Sequence, residues 1–226
     1  MGESPGLRAG HYNARCTYGS DEGVVPMGEG VRLVVGLGNP GDEYAGTRHN
    51  AGFAVVDRLA EKWGARYWKS EHGAQVAHVK APAAAQGPAA DDAAEELLLA
   101  KPQAFMNCSG GPVSKIASAY GISPAEILVV HDDMDLEPGT IRVKVGGGHA
   151  GHNGLRSIHA KLGSSDYLRV RVGIGHPPGR MTGADFVLQA PRRADAEAFG
   201  EALEKAAEAV ELVVSVGAET AMNRCN

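Results

Sequence analysis

Apolar residues occur along this chain in two periods, and their alternation predicts an α/β fold. "VRLVVGL" (Val31 to Leu37) is a short β-branched run of the kind that forms a buried strand. Phe53, Val56, Ala60 and Trp63 then recur at helical spacing and predict a helix over Ala51 to Trp63. "LLLAKP" (Leu97 to Pro102) reads as the second of two strands flanking a connection. A helix follows from Ser109 or Gly111 to Gly121, burying Val113, Ile116, Ala117 and Tyr120, with Pro112 suited to its first turn. "ILVVHDD" (Ile127 to Asp133) is a buried strand that runs directly into acids. "TIRVKV" alternates so that Ile141, Val143 and Val145 face in, and Arg142 and Lys144 face out. A helix through Leu155, Ile158 and Leu162 stops at Gly163. "YLRVRVGIG" alternates again and would expose Arg169 and Arg171, and Arg193 to Val216 forms a long amphipathic helix. Interleaved strands and helices predict a single α/β domain, with a mixed, largely parallel twisted sheet flanked by helices.

Two segments fall outside this pattern. Residues 1–29 are rich in Gly, Ser and charge without sustained periodicity, which predicts a flexible N-terminal extension before a domain over 30–226. Met27 offers an internal start just ahead of that domain. "APAAAQGPAADDAAEE" (81–96) is low in complexity and reads as a loop or insertion.

The remaining composition mostly excludes. At 226 residues the chain suits one well-cored domain. No apolar run reaches a membrane span of ~18 residues, and the first thirty residues lack a signal-peptide core. Cys16, Cys108 and Cys225 are odd in number and far apart, which argues against a disulfide framework and fits a reducing, cytoplasmic setting. Net charge is −5, unevenly spread. From Thr140 to Arg171 there are six Lys/Arg against Asp166 alone, so that segment is +5 and the remainder −10. A locally basic region suits a phosphate-bearing partner, although solvated faces would look the same.

Candidate chemistry concentrates in two loops, "GLGNPGDEYAGTRHNAGF" (Gly36 to Phe53) and "GGGHAGHNGL" (Gly146 to Leu155). Each crowds Gly, Asn and His, which opens the backbone and presents short directional polar groups. Gly36, Gly38 and Gly41 match GxGxxG after a strand. However, Pro40 removes a donor from that loop, and Asp57 falls inside a helix rather than at the next strand end. His149 and His152 form HxxH beside "HDDMD", a possible metal set, but three glycines precede them where zinc histidines usually sit on a regular element. His49 is a stronger candidate if a carboxylate orients it. Asp132, at the end of a central strand, is placed for that task. Asn39, Asn107 and Asn153 complete the polar set, with helix capping as the alternative for the latter two. Cys108, without a tuned neighbourhood, reads as a small core residue.

With "GLGNPG-EY--TRHNAGF", "KPQAFMNCSG", "HDDMDLEPG", "GGGHAGHNGL" and "RVGIGHP" in this order, the chain resembles the bacterial peptidyl-tRNA hydrolases from about Val31 to Asn226. The resemblance implies hydrolysis of the ester between a peptide and the terminal ribose of tRNA, without cofactor or metal. His49 would be the general base activating water, held by Asp132, with Asn39 positioning the reacting group. Asn107 and Asn153 would bind peptide backbone and orient water or oxyanion. Tyr44, Met106 and His152 would line the site, and Lys144 and Arg171 would grip the tRNA 5′-phosphate. The implied partner is the acceptor end of tRNA, with no membrane, and the implied protein is a cytoplasmic monomer. The chain departs from the family pattern in its N-terminal extension, its long 81–96 segment and its short tail.

Overall fold

The computed structural model describes residues 30–80, 96–192 and 194–226. The expected extension over 1–29 and nearly all of the expected 81–96 connection lie outside these residues. Seven strands form one sheet: β1 (Leu33–Gly36), β2 (Lys69–Glu71), β3 (Ala74–Lys80), β4 (Glu96–Pro102), β5 (Ile127–Asp133), β6 (Ile141–Val145) and β7 (Leu168–Gly173). Their spatial order is β2-β3-β4-β1-β5-β7-β6. The four central strands are parallel, while β3 on one side and β6 on the other run antiparallel to their neighbours. The sheet is therefore mixed and largely parallel, as the alternation of elements predicts.

The helices are α1 (Ala51–Lys62), α2 (Gly110–Tyr120), α3 (Asn153–Leu162), α4 (Gly183–Val187), α5 (Ala194–Val216) and α6 (Ala218–Cys225). On one face α1, α5 and α6 bury Val55, Leu59, Ala206 and Val210 against Val34, Leu128 and Val170. On the other, α2 and α3 bury Val113, Ile116, Leu155 and Ile158 against Leu33, Val35, Val129 and Tyr167. Burial on both faces explains why β1 and β5 read as near-continuous apolar runs. Gly121 and Gly163, both left-handed, end α2 and α3 as their sequences require.

Several expectations shift. α1 buries Val55, Val56, Leu59 and Ala60, whereas Phe53 and Trp63 lie only partly inside, so its apolar arc is rotated from the one expected. The β2–β3 hairpin, α4 and α6 were not delimited from sequence. Among residues expected at the surface, Arg169 is 3% exposed, whereas Cys108, expected inside, is exposed. At the far edge, the Asn226 side-chain amide exchanges two hydrogen bonds with the Val143 backbone and extends pairing beyond β6.

The fold places the first polar loop, and the His152 end of the second, at the C-terminal ends of the parallel strands, where open α/β sheets build their sites. Because β6 runs antiparallel, the second loop starts at the opposite end, where Val145 pairs with Leu168. Gly52 makes the placement of the first loop possible. A Cβ there would lie 2.2 Å from the Leu37 nitrogen and 2.3 Å from the Val130 carbonyl oxygen. Only glycine lets the start of α1 sit against the ends of β1 and β5, and this contact carries His49 inward.

Candidate active site

His49 lies in a single 3-10 turn, Arg48–Asn50, that leads into α1. Its neighbours hold the turn from both sides. Arg48 is buried, rests over the Phe186 ring at 4.1 Å and donates to the Gln189 carbonyl at 3.0 Å. Asn50 accepts from the Asn39 backbone N–H and donates to the Asn39 carbonyl, both at 2.9 Å. Such reciprocal amide pairs contribute about 1 kcal/mol per bond, and a buried group left unpaired costs more.

Asp132, 3% exposed at the end of β5, is the hub. Its Oδ1 lies 2.9 Å from His49 Nδ1 and 3.1 Å from His152 Nε2. The protons on both histidines follow from their partners. His152 is the N-cap of α3, and its Nδ1 accepts from the backbone N–H groups of Gly154 and Leu155. Nδ1 is therefore unprotonated, and Nε2 carries the hydrogen donated to Asp132. An ionised Asp132 accepts from His49 Nδ1–H as well, leaving the lone pair on His49 Nε2. Burial alone would raise the Asp132 carboxyl, but the two histidines, through charge and hydrogen bonds, draw it well below the usual carboxylate range. His131, on the same strand end, donates from Nδ1 to the Asp132 carbonyl at 2.8 Å and packs edge-on to His152. Burial and the facing His152 push it down to about 3, so it is neutral at physiological pH.

These groups open onto a cavity of about 280 Å³ lined by His49, Asp132, His152, Asn153, Met134 and Val187. Asn153, the first residue of α3, is exposed at its rim and accepts from Arg156 at 2.8 Å. Asn39 is buried and turned elsewhere. Its Oδ1 accepts from the Met106 N–H at 2.7 Å, and it lines a neighbouring recess with Phe53, Trp68 and Lys101. The 3-10 turn Met106–Cys108 connects the two regions, since Met106 packs against Gly154 while Asn107 is exposed. Tyr44 stands edge-on to the exposed Phe105 with ring centroids 6.4 Å apart. Neither Asn107 nor Asn153 is a helix cap, because Ser109 and His152 occupy those positions. Asp57 pairs with Lys101 on the exposed side of α1, far from the role a ribose-binding acid would need.

His49, Asp132 and His152 also place three ligand atoms within 4.8 Å of one another. Their donor chemistry does not suit a metal ion. A cation on His152 Nε2 would move the ring proton to Nδ1, where it would meet the two N–H groups at the α3 terminus. His149, the other histidine of HxxH, accepts from Gly151 N–H and packs near His159 instead.

Lys144 on β6 and Arg171 on β7 share one face of the sheet edge. Lys144 pairs with Arg169 and Arg142 with Arg171 across the ladder, so Lys144 and Arg171 are diagonal neighbours. Lys144 is exposed, whereas Arg171 is partly covered and its Nε donates to Asp133 Oδ2 at 2.7 Å. Asp133 thus links the basic face to the strand end that carries Asp132. Neither this ion pair nor the roles of Arg48 and His131 could be read from the sequence, because each depends on a neighbour distant along the chain.

The fold and the site together define an α/β protein with a buried histidine–carboxylate pair at the carboxyl ends of its parallel strands. Residues 33–226 match the family model described as Peptidyl-tRNA hydrolase. The chain is 50% identical over 200 residues to a peptidyl-tRNA hydrolase of Frankia alni, covering 88% of this chain and 96% of the relative. It is 48% identical over 193 residues to that of Mycobacterium tuberculosis, covering 85% and 95%. The crystal structure of peptidyl-tRNA hydrolase from Acinetobacter baumannii superposes with a TM-score of 0.76 at 37% identity, covering 87% of this chain and 94% of that one. The chain belongs to the peptidyl-tRNA hydrolase family and is an enzyme of that class.

Proposed function

We propose that this protein hydrolyses the ester between a peptide's C-terminal carboxyl and the terminal ribose of tRNA, with His49 as general base. One observation carries the assignment of the base. His49 Nδ1 is held by Asp132 at 2.9 Å, while Nε2 has no partner among the described residues and belongs to a side chain lining the cavity. Nε2 takes a proton from water as the water oxygen attacks the ester carbonyl. The imidazolium that forms is stabilised by the Asp132 carboxylate and returns the proton to the departing ribose oxygen. An ester needs no covalent nucleophile for this, and a positioned base contributes ~10²–10⁴-fold.

The amides supply the remaining contacts. Asn153 at the cavity rim and Asn107 on the adjoining turn present donors that do not titrate, suited to peptide carbonyls and to the developing oxyanion. Asn39 acts chiefly by holding Met106 and, through Asn50, the turn that carries His49. Tyr44, Met106 and His152 complete the walls. Lys144 and Arg171 bind phosphate near the tRNA acceptor end, and Arg171, on the strand beside Asp133 and bonded to it, brings that end toward the cavity. Among the described residues no helix is long and apolar enough to cross a membrane.

The test is single-turnover hydrolysis of N-acetyl-aminoacyl-tRNA by wild type and His49→Ala, with and without EDTA. Cleavage resistant to EDTA and lost in the variant, with tRNA binding retained, is the expected result. A folded wild type that binds tRNA without cleaving it would make the protein an RNA-binding relative. Loss of activity in EDTA would point to a metallohydrolase.

A further inference from the structure

Arg169 is the least expected residue in the fold. It alternates with core positions on β7 like an outward-facing cation, yet it is 3% exposed. No carboxylate among the described residues hydrogen-bonds to it. Nη1 donates to the Gly148 carbonyl at 2.6 Å and Nη2 to the Gly147 carbonyl, while Nη2 also lies 3.2 Å from His159 Nε2. Its guanidinium sits 4.9 Å from the centroid of the buried Tyr167 ring, and its Nε has no partner. A buried cation with no carboxylate in contact is costly to a fold, and an apolar side chain of similar volume often packs as well in such a place.

What only arginine provides is a planar fork of donors able to hold two successive carbonyls. Those carbonyls belong to the loop between β6 and α3, which needs holding. Gly146, Gly147, Ala150 and Gly151 all have positive φ, and Ala150 at 45° has no glycine's freedom. The loop ends at His152, whose cap on α3 fixes the proton it donates to Asp132, and at Asn153. A shift of the loop by a fraction of an ångström would move both groups against a site already tied to β5.

We propose that Arg169 is a positioning residue: its guanidinium, buried beneath the glycine loop, grips the Gly147 and Gly148 carbonyls and thereby sets His152 and Asn153 relative to Asp132 and His49. The proposal rests on the assignment of hydrolysis to that site.

Arg169→Met and Arg169→Lys, alone and in a His152→Ala background, separate positioning from structure. Arg169→Met is expected to unfold within about 2 °C of wild type or higher. It should bind deacylated tRNA with unchanged Kd and lose about 10–100-fold in single-turnover kcat. Arg169→Lys, which keeps the charge but not the fork, should recover only part of the rate. With His152 already removed, Arg169→Met should cost under about threefold. Unchanged kcat, weaker tRNA binding at full kcat, a loss of rate tracking a lower Tm, or full additivity with His152→Ala would each overturn the proposal. Nitrogen NMR of the His152 ring reads the same device without turnover. An acceptor Nδ1 and a donor Nε2 in wild type should blur into averaged signals in Arg169→Met, and unaltered signals would overturn the proposal. A wild type that does not cleave the ester would sink the hydrolase reading, while the ring signals would still report on Arg169.

Discussion

At the end of β5, Asp132 is almost wholly buried, both of its histidine partners are nearly so, and each proton has one place to be. On β6 and β7, a strand or two away, Lys144 lies in solvent and Arg171 is tethered only at its Nε. The first region spends its polar groups on each other and leaves one lone pair free for chemistry. The second keeps its charge available, at the cost of screening by salt beyond ~8 Å at physiological ionic strength. On the proposed assignment, the contrast teaches how neighbouring strands of one sheet can serve two tasks. A catalytic base needs fixed geometry in low dielectric, whereas a phosphate grip needs reach and an exposed charge. The Asp133–Arg171 pair is where the two regions meet.

The sharpest way to break this contrast is Asp132→Asn. An amide oxygen in the place of Oδ1 can still accept from both histidines, but the negative charge is gone, and His49 loses the partner that stabilises its cation. The expected loss is ~10²–10⁴-fold in kcat with tRNA affinity unchanged, measured by single turnover and filter binding. Stability should fall as well. Because the folded carboxyl titrates below its unfolded value, its contribution is present above the unfolded value, and is lost only as pH falls through the depressed folded value. Unfolding at neutral pH should therefore show the deficit, and an unchanged Tm would deny Asp132 that role.

Gly52→Ala attacks the scaffold beneath the same site. The added methyl meets backbone atoms at 2.2 and 2.3 Å, which cannot move aside as a flexible side chain would. We expect about 1–3 kcal/mol of lost stability in chemical denaturation, with weaker catalysis at temperatures where the protein is still folded. Lys144→Ala should do the reverse. Its binding should weaken severalfold at low salt, with the slope of log affinity against log salt reduced by about one and kcat at saturation kept. A drop in kcat alone would place Lys144 in the catalytic region.

The smallest effect concerns His131. Its folded value of about 3 lies below the ordinary 6.5, so between those values the unfolded chain takes up a proton that the folded one refuses. Stability therefore falls as pH is lowered across that window. His131→Phe should remove about one proton from the uptake that accompanies unfolding there, as measured by the pH dependence of urea midpoints. An identical slope in both proteins would mean that His131 is not held neutral.

Much of this was legible in one dimension. The central strands, α2, α3 and the length of α5 followed from periodicity and glycine stops, because burial on both faces of a parallel sheet leaves long apolar runs. His49 and Asp132 could be paired on chemical grounds, since a base needs a carboxylate and strand ends provide one. Arg169 could not. Its alternation signals an exposed cation, and only the glycine loop folding over it reverses that reading. His152 likewise stood in the sequence as a loop histidine, and its role as a helix cap that assigns a proton is a property of the folded loop. The strand β2 and its hairpin with β3 leave no signal in the sequence, because β2 is only three residues long and polar.

The sequence by itself therefore determined the class of fold, the order of its elements and the residue types available for chemistry, since those depend on local propensity and on which faces must leave water. Tertiary structure decided which histidine nitrogen is free, which arginine is buried and which carboxylate ties the two regions together. Those outcomes depend on distances between residues 20 to 83 positions apart, and hydrogen bonds and ion pairs fall off too steeply with distance for sequence spacing to specify them.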